Sequence, residues 1–200
     1  MKERLAAVLG DRAALVLADR AADSVSALRA AARESAMVLL VIEETVPELD
    51  RAFGPDRHAR TAYRIRAGMV AIPALSLAAL EDGQLVGTIQ CWPIRFTGDD
   101  GAEVPMVQIG PVAVEPARQQ GGIGRALTAY ALAAAEANGL AEALTLIGDP
   151  EYYGRFFGFD ASLTAQWRVP GPVERHRLLA RGAQVPGGAG VLGPRIVAPA

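Results

Sequence analysis

The residues with the plainest chemical purpose lie in one stretch, IGPVAVEPARQQGGIGRAL, residues 109–127. Val112, Ala113 and Val114 close an apolar segment, a proline-containing loop turns, and a helical pattern opens at Gly122-Ile123-Gly124. Backbone N–H groups in the first turn of a helix lack internal acceptors, and the aligned peptide dipoles add partial positive charge there. Glycines let a ligand approach that backbone closely. The combination suits a phosphate or pyrophosphate, and Arg118 and Arg125 flank it with further charge.

Three kinds of phosphate site compete for this pattern. A Walker A loop ends in Gly-Lys-Ser/Thr, whereas Gly124 is followed by Arg125. A dinucleotide fingerprint needs a third glycine and a tight turn after the strand; here the third glycine is missing and a seven-residue loop intervenes. The third reading fits. Gln119-Gln120-Gly121-Gly122-Ile123-Gly124 resembles the Q/R-x-x-G-x-G/A pattern of the GNAT superfamily of N-acetyltransferases. The preceding PVAV and the following Arg125-Ala-Leu resemble the same acyl-CoA motif, and Asp149-Pro-Glu-Tyr-Tyr-Gly-Arg-Phe-Phe-Gly-Phe resembles the D-P-x-Y-Y-x-R-F-G-F segment of small bacterial members. The resemblance covers roughly residues 36–180 in element order.

That resemblance implies an α+β fold with a mixed, mostly antiparallel central sheet, a splayed parallel strand pair and flanking helices. It implies acetyl-CoA as cosubstrate and an amine as acceptor, a small molecule or a peptide. Val112, Ala113 and Val114 would offer backbone to the pantetheine arm, and Gln119, Gln120, Gly121, Gly122, Ile123, Gly124 and Arg125 would hold the pyrophosphate. The Val112 N–H would stabilise the oxyanion. Pro111 is an independent sign, because proline within a strand marks an edge or a bulge.

By the same resemblance a tyrosine protonates the departing thiolate. Tyr153 matches the family position, but the doubled Phe156-Phe157 lengthens the spacing by one residue and keeps Tyr152 as an alternative. Where many relatives carry a glutamate base this chain has Gln108, which cannot accept a proton, and Glu103 reads as a solvated charge. An amine delivered neutral, or deprotonated through water, needs no dedicated base. The missing carboxylate keeps open a second reading, a non-catalytic acyl-CoA-binding regulatory module; a transferase using a longer acyl-CoA is a third. Trp92, Arg95 and Phe96 are candidates for an acceptor pocket or for core packing. Asp149 stands where relatives often have Asn. His58 and His176, each among arginines, read as solvated.

The elements that must carry these residues follow from pattern and punctuation. Residues 1–35 are Ala-rich with apolar positions at helical spacing, predicting one long helix that packs on the core or on a second subunit of a homodimer. Residues 36–42 read as a buried strand, 45–53 and 56–67 as helices, the latter capped by Asp56. Strands at 75–80 and 85–92 meet through Asp82-Gly83. A turn at 98–101 leads to a strand over 104–114. A helix over 122–138 ends at Gly139, a strand spans 144–147, a short helix starts at Glu151, and 163–169 reads as a last strand. The predicted division is an N-terminal helical extension (1–35), the acetyltransferase domain (36–170) and a mostly irregular Gly/Pro-rich tail (171–200).

Composition narrows the class. The chain has 200 residues, 51% hydrophobic, with 20 basic against 22 acidic side chains. The apolar share supports a core, and the near-neutral balance gives no overall field for nucleic acid. The longest apolar run, 36–42, is far short of the roughly 20 residues of a membrane span. Charges at Glu3, Asp11, Arg12 and Asp19 break any secretory signal, so a cytoplasmic location is expected. One cysteine, Cys91, and two distant histidines make no metal site. Lys2 is the single lysine, so the arginines reflect coding bias, and Arg168, Arg175, Arg177 and Arg181 are weak evidence for an anion patch.

Overall fold

Leu77–Glu81 (β3) and Gln84–Gly98 (β4) form a hairpin in which Leu77 pairs with Ile89 and Glu81 with Gln84, leaving Asp82 and Gly83 to join them. A two-residue Asp-Gly connection has the twist that antiparallel strands require. At the next turn Gly98 N–H donates to Ala102 O at 2.8 Å and Gly101 takes φ +84°, after which Glu103–Val114 (β5) runs back. The computed structural model describes residues 13–16, 37–41, 56, 59–81 and 84–196. The remaining strands are β1 (Ala13–Val16), β2 (Met37–Val41), β6 (Leu144–Ile147), β7 (Trp167–Arg168), β8 (Leu178–Arg181) and β9 (Gly190–Pro194). The α-helices among the described residues are α1 (Thr61–Ile65), α2 (Ile123–Ala137) and α3 (Pro150–Phe157).

The chain divides into two units. One comprises Met1–Gly54, Ile72–Gln90 and Pro111–Ala134. Its strands run in the order β1-β2-β3-β4-β5, with β1 parallel to β2 and the β2–β3 and β3–β4 pairs antiparallel. Ile123, Leu127 and Ala131 recur at helical spacing on α2 and are all buried. The helix seats on β4 at Gly87, where an added Cβ would lie 2.9 Å from Ile123 Cγ2 and 3.1 Å from Leu127 Cδ1. Gly87 thus sets how closely the helix bearing the glycine loop approaches its strand.

The other unit comprises Pro55–Ala71, Cys91–Gly110 and Ala135–Ala200. Here β5 pairs parallel with β6 through Val107↔Leu144 and Gln108↔Thr145, β6 pairs antiparallel with β8, and β9 joins β4 to β7. Ile65, Ile94, Phe96, Met106, Trp167, Leu178 and Leu192 form its core. The Phe96 and Trp167 ring centroids lie 5.2 Å apart. Trp167 is fully buried, and its Nε1 donates to Pro186 O at 3.0 Å.

Four expectations are corrected. Within the single long helix read over 1–35, Ala13–Val16 is instead strand β1, because it pairs in register with Met37 to Leu40. Parallel strands read as continuous apolar runs, and pairing of this kind overrides the helix propensity of alanine. The rest of 1–35, and the helix read over 45–53, lie outside the described residues. The helix read over 56–67 is only α1: Arg60, not Asp56, is its N-cap, with no side-chain cap. This short helix is tied down by Thr61 Oγ1 donating to Pro172 O at 2.6 Å and by burial of Ile65. The strand read over 163–169 shrinks to Trp167–Arg168 after a 3-10 turn at Ser162–Thr164. Residues beyond 170 are no irregular tail, since they supply β8 and β9 and bury Leu178, Leu179, Ala180 and Leu192. Gly190, which reads as a breaker, is a packing residue: an added Cβ would lie 2.2 Å from Phe96 Cζ.

Candidate active site

In the first unit the loop after β5 is a 3-10 segment, Pro116–Gly121, opened by Pro116 and closed by Gly122 at φ +76°. An L side chain in that left-handed conformation costs roughly 1–2 kcal/mol, so the chain turns into α2 most cheaply with glycine there. Gln119, Gly121 and Arg125 are exposed, Ile123 is buried, and Gln120 belongs to the same 3-10 segment. The first turn of α2 holds no acidic residue. A Cβ at Gly124 would sit 3.5 Å from Val114 Cγ2 and 3.7 Å from Val112 Cγ1. Gly124 therefore lies against the strand residues Val112 and Val114. Gly124 serves helix–strand packing, while Gly121 and Gly122 face open space. In the same unit a groove is lined by Gly87, Thr88, Ala113 and Val114, with Leu85, Val86 and Glu115.

In the second unit β6 leads through Gly148 into α3. Asp149 is the N-cap, its Oδ1 accepting from Glu151 N–H at 2.9 Å, and Pro150 takes the first helical turn, where it suits the backbone. Asp149 therefore has a structural task of its own. Gly148 is buried beneath the Tyr153 ring: an added Cβ would lie 2.4 Å from Tyr153 Cε2. The doubled phenylalanine is explained by helical spacing. Phe157, four residues after Tyr153, is 9% exposed, while Phe156, four after Tyr152, is 43% exposed. Tyr153 shares the inner face with Phe157, and Tyr152 packs edge-on against Phe156, centroids 5.3 Å apart. Burial, with smaller contributions from Tyr152 and Asp149, pushes the Tyr153 phenol up to about 12 against an opposing pull from Arg177.

The same unit holds a polar cluster that the sequence shows only in part. Gln108 is 3% exposed; its Nε2 donates to Ala62 O at 3.1 Å, while its Oε1 is buried without a hydrogen-bond partner. Arg66, buried as well, donates from Nη1 to Gly110 O at 2.9 Å. Its guanidinium carbon lies 3.9 Å from the Tyr63 ring centroid and 4.5 Å from that of Trp92. Trp92 Nε1 is buried with no partner. Gly110, at φ +101°, is where β5 leaves strand geometry, one residue before the proline that signals it. Arg66 was hidden among many arginines; the signal that could find it is its place at the end of α1, within stacking reach of Tyr63.

Other candidates resolve into structure. Glu103 is exposed and pairs with Arg95 at 2.7 Å. Arg168 forms a two-pronged pair with Asp99, Arg175 donates to Trp167 O, Arg177 lies 3.8 Å from Glu174, and Arg181 lies 3.5 Å from Glu136. These arginines are occupied singly rather than pooled. Cys91 is buried, and burial pushes its thiol up to about 12, which removes its reactivity at neutral pH. His58 lies outside the described residues.

Residues 42–159 match the model of the Acetyltransferase (GNAT) family, and the chain belongs to that family. It is similar to an uncharacterized N-acetyltransferase of Streptomyces avermitilis, 31% identical over 102 residues, which are 50% of this chain and 24% of that protein. The chain thus matches about a quarter of that relative's length. Among solved structures, a GNAT family N-acetyltransferase (YhbS) of Escherichia coli in complex with CoA aligns with TM-score 0.56 and 24% identity, covering 73% of this chain and 81% of that one. A GNAT family acetyltransferase of Brucella melitensis in complex with acetyl-CoA aligns with TM-score 0.43 and 28% identity, over 83% and 94% of the two chains. The mixed, mostly antiparallel sheet with its parallel β5–β6 pair and flanking helices is the fold of this family. Among the described residues no helix is long and apolar enough to cross a membrane.

Proposed function

We propose that this chain is an acetyl-CoA-dependent N-acetyltransferase that moves the acetyl group directly to an amine. The observation that carries the reading is the loop at Gly122. A left-handed glycine turns the chain into a helix whose first turn bears no carboxylate, and the next residues clamp onto Val112 and Val114. These features fit a diphosphate ester such as that of CoA. Arg118 and Arg125 flank the loop, and the E. coli neighbour is a CoA complex. Acetyl-CoA supplies the thioester, and CoA leaves as the thiol. In this reading the Gln119–Arg125 backbone holds the pyrophosphate, Val112 to Val114 align the pantetheine arm, the Val112 N–H faces the carbonyl oxygen, and Tyr153 donates toward sulfur.

The second reading, an acyl-CoA-binding module without chemistry, is favoured by one observation: the buried Gln108 cannot remove a proton from an amine. One experiment separates the two. Free thiol released from acetyl-CoA is followed over a panel of primary amines at pH 7–9. Acetyl transfer predicts release that requires both protein and amine and yields one acetylated amine per thiol. A binding module predicts CoA retention with no amine-dependent release. In the absence of a protein base the rate should rise with pH as the free amine fraction of the acceptor rises.

A further inference from the structure

The face of β4 and β5 that packs under α1 is apolar for two steps and then turns polar. Phe96 and Ile94 on β4, with Val104 and Met106 on β5, belong to or pack against one cluster together with Ile65. Side chains alternate along a strand, so Trp92 continues the Phe96–Ile94 row and Gln108 the Val104–Met106 row. Counting from the Gly98–Ala102 hydrogen bond, an unshifted register sets Trp92 opposite Gln108. Cross-strand neighbours on one face have Cβ atoms about 5 Å apart. Both side chains carry a buried polar atom with no hydrogen-bond partner among the described residues: Trp92 Nε1, a donor, and Gln108 Oε1, an acceptor. A buried donor or acceptor left unsatisfied is destabilising.

Neither group is free to turn away. Gln108 is fixed by its Nε2 bond to Ala62 O, which fixes which end of the amide carries the unused oxygen. The Trp92 ring lies against the Arg66 guanidinium, itself bonded to Gly110 O. The result is an uncharged donor and acceptor at the polar end of a packed face.

We propose that Trp92 and Gln108 recognise the acceptor, and that the acceptor is an amine with a carbonyl or carboxylate oxygen beside it: an amino acid, an amino acid amide or a peptide N-terminus. This rests on the acetyltransferase reading and names the substrate class of that site. Gln108 Oε1 accepts from the acceptor N–H. Trp92 Nε1 donates to the neighbouring oxygen. A simple alkylamine offers the N–H but not the oxygen, so it leaves the indole N–H unsatisfied.

The test follows thiol release from acetyl-CoA with three sets of acceptors: the twenty amino acid amides, the free amino acids, and alkylamines of matching side chain. The expected result is a kcat/KM at least tenfold higher for the best amide or amino acid than for its alkylamine. The comparison between amides and free acids tells a peptide-type acceptor from an amino acid. Trp92→Phe, which keeps the ring, should erase that preference: kcat/KM for the oxygen-bearing acceptor should fall about tenfold or more further than kcat/KM for the matching alkylamine. Gln108→Met, which keeps the length, should lower both acceptor classes. Equal use of alkylamine and amide by the wild type, or an undiminished preference in Trp92→Phe, overturns the proposal while acetyl transfer stands. Absence of thiol release with every amine overturns both.

Discussion

Tyr153→Phe is expected to lower kcat by about 10- to 100-fold while leaving the dissociation constant of CoA unchanged. The change removes one hydroxyl and keeps the ring that packs on Gly148 and Phe157. A phenol at about 12 faces a thiolate whose conjugate acid, by analogy with free Cys, is near 8.5. Full proton transfer in that direction is uphill by about 3.5 pH units, roughly 5 kcal/mol. The proposed role of Tyr153 is therefore that of a hydrogen-bond donor to developing negative charge, and such bonds contribute about 1.5–3 kcal/mol. Because the folded state raises this pKa above its usual value near 10, the tyrosine favours folding below about pH 10. That contribution is lost only as pH rises toward 12. Neither stability nor rate should show a tyrosine step between pH 6 and 9. Gly148→Ala should reproduce the kcat loss, since its Cβ would displace the ring. Tyr152→Phe, on the outer face beside Phe156, should lose no more than a few-fold; a larger loss there than at Tyr153 would reverse the assignment.

Gly121→Glu is expected to weaken CoA binding by about 100-fold or more with the fold intact. Gly121 is exposed, its φ is ordinary, and an added Cβ meets only Ile123 Cγ1, at 4.0 Å. The substitution adds a carboxylate without strain. At about 5 Å and an effective dielectric near 20, repulsion from one phosphate charge is about 3 kcal/mol. Gly124→Glu is a poorer probe, because a Cβ there already touches Val114 and Val112, at 3.5 and 3.7 Å, whereas Gly121 is exposed. Thermal unfolding of the variant without CoA should match the wild type, and titration calorimetry should show the lost affinity.

The glycine loop was legible because its chemistry is local: a turn, a helix start and missing side chains within six residues. The hairpin at Asp82-Gly83 and the cap at Asp149-Pro150 were legible for the same reason. What escaped depends on partners far along the chain. Ala13–Val16 is a strand because Met37–Val41 pairs with it, not because of its own propensities. Leu178–Arg181 and Gly190–Pro194 sit between glycines and prolines that normally mark loops, yet they complete the pairing of β6 and β4. Gly87, Gly148 and Gly190 look like breakers in the sequence, but each is the absence of a side chain demanded by a neighbouring ring or helix. The Trp92–Gln108 pair needed the hairpin register before the two could be read together.

The most direct measurement is titration of the wild-type chain with CoA, by calorimetry and by thermal unfolding. At a free concentration one hundred times its dissociation constant, a ligand specific for the folded state stabilises it by about 2.7 kcal/mol. For a chain of this length that is an upward shift of about 5–10 °C. The account predicts one saturable site with that shift in the wild type and its loss in Gly121→Glu. No heat and no shift with CoA at millimolar concentration would contradict it.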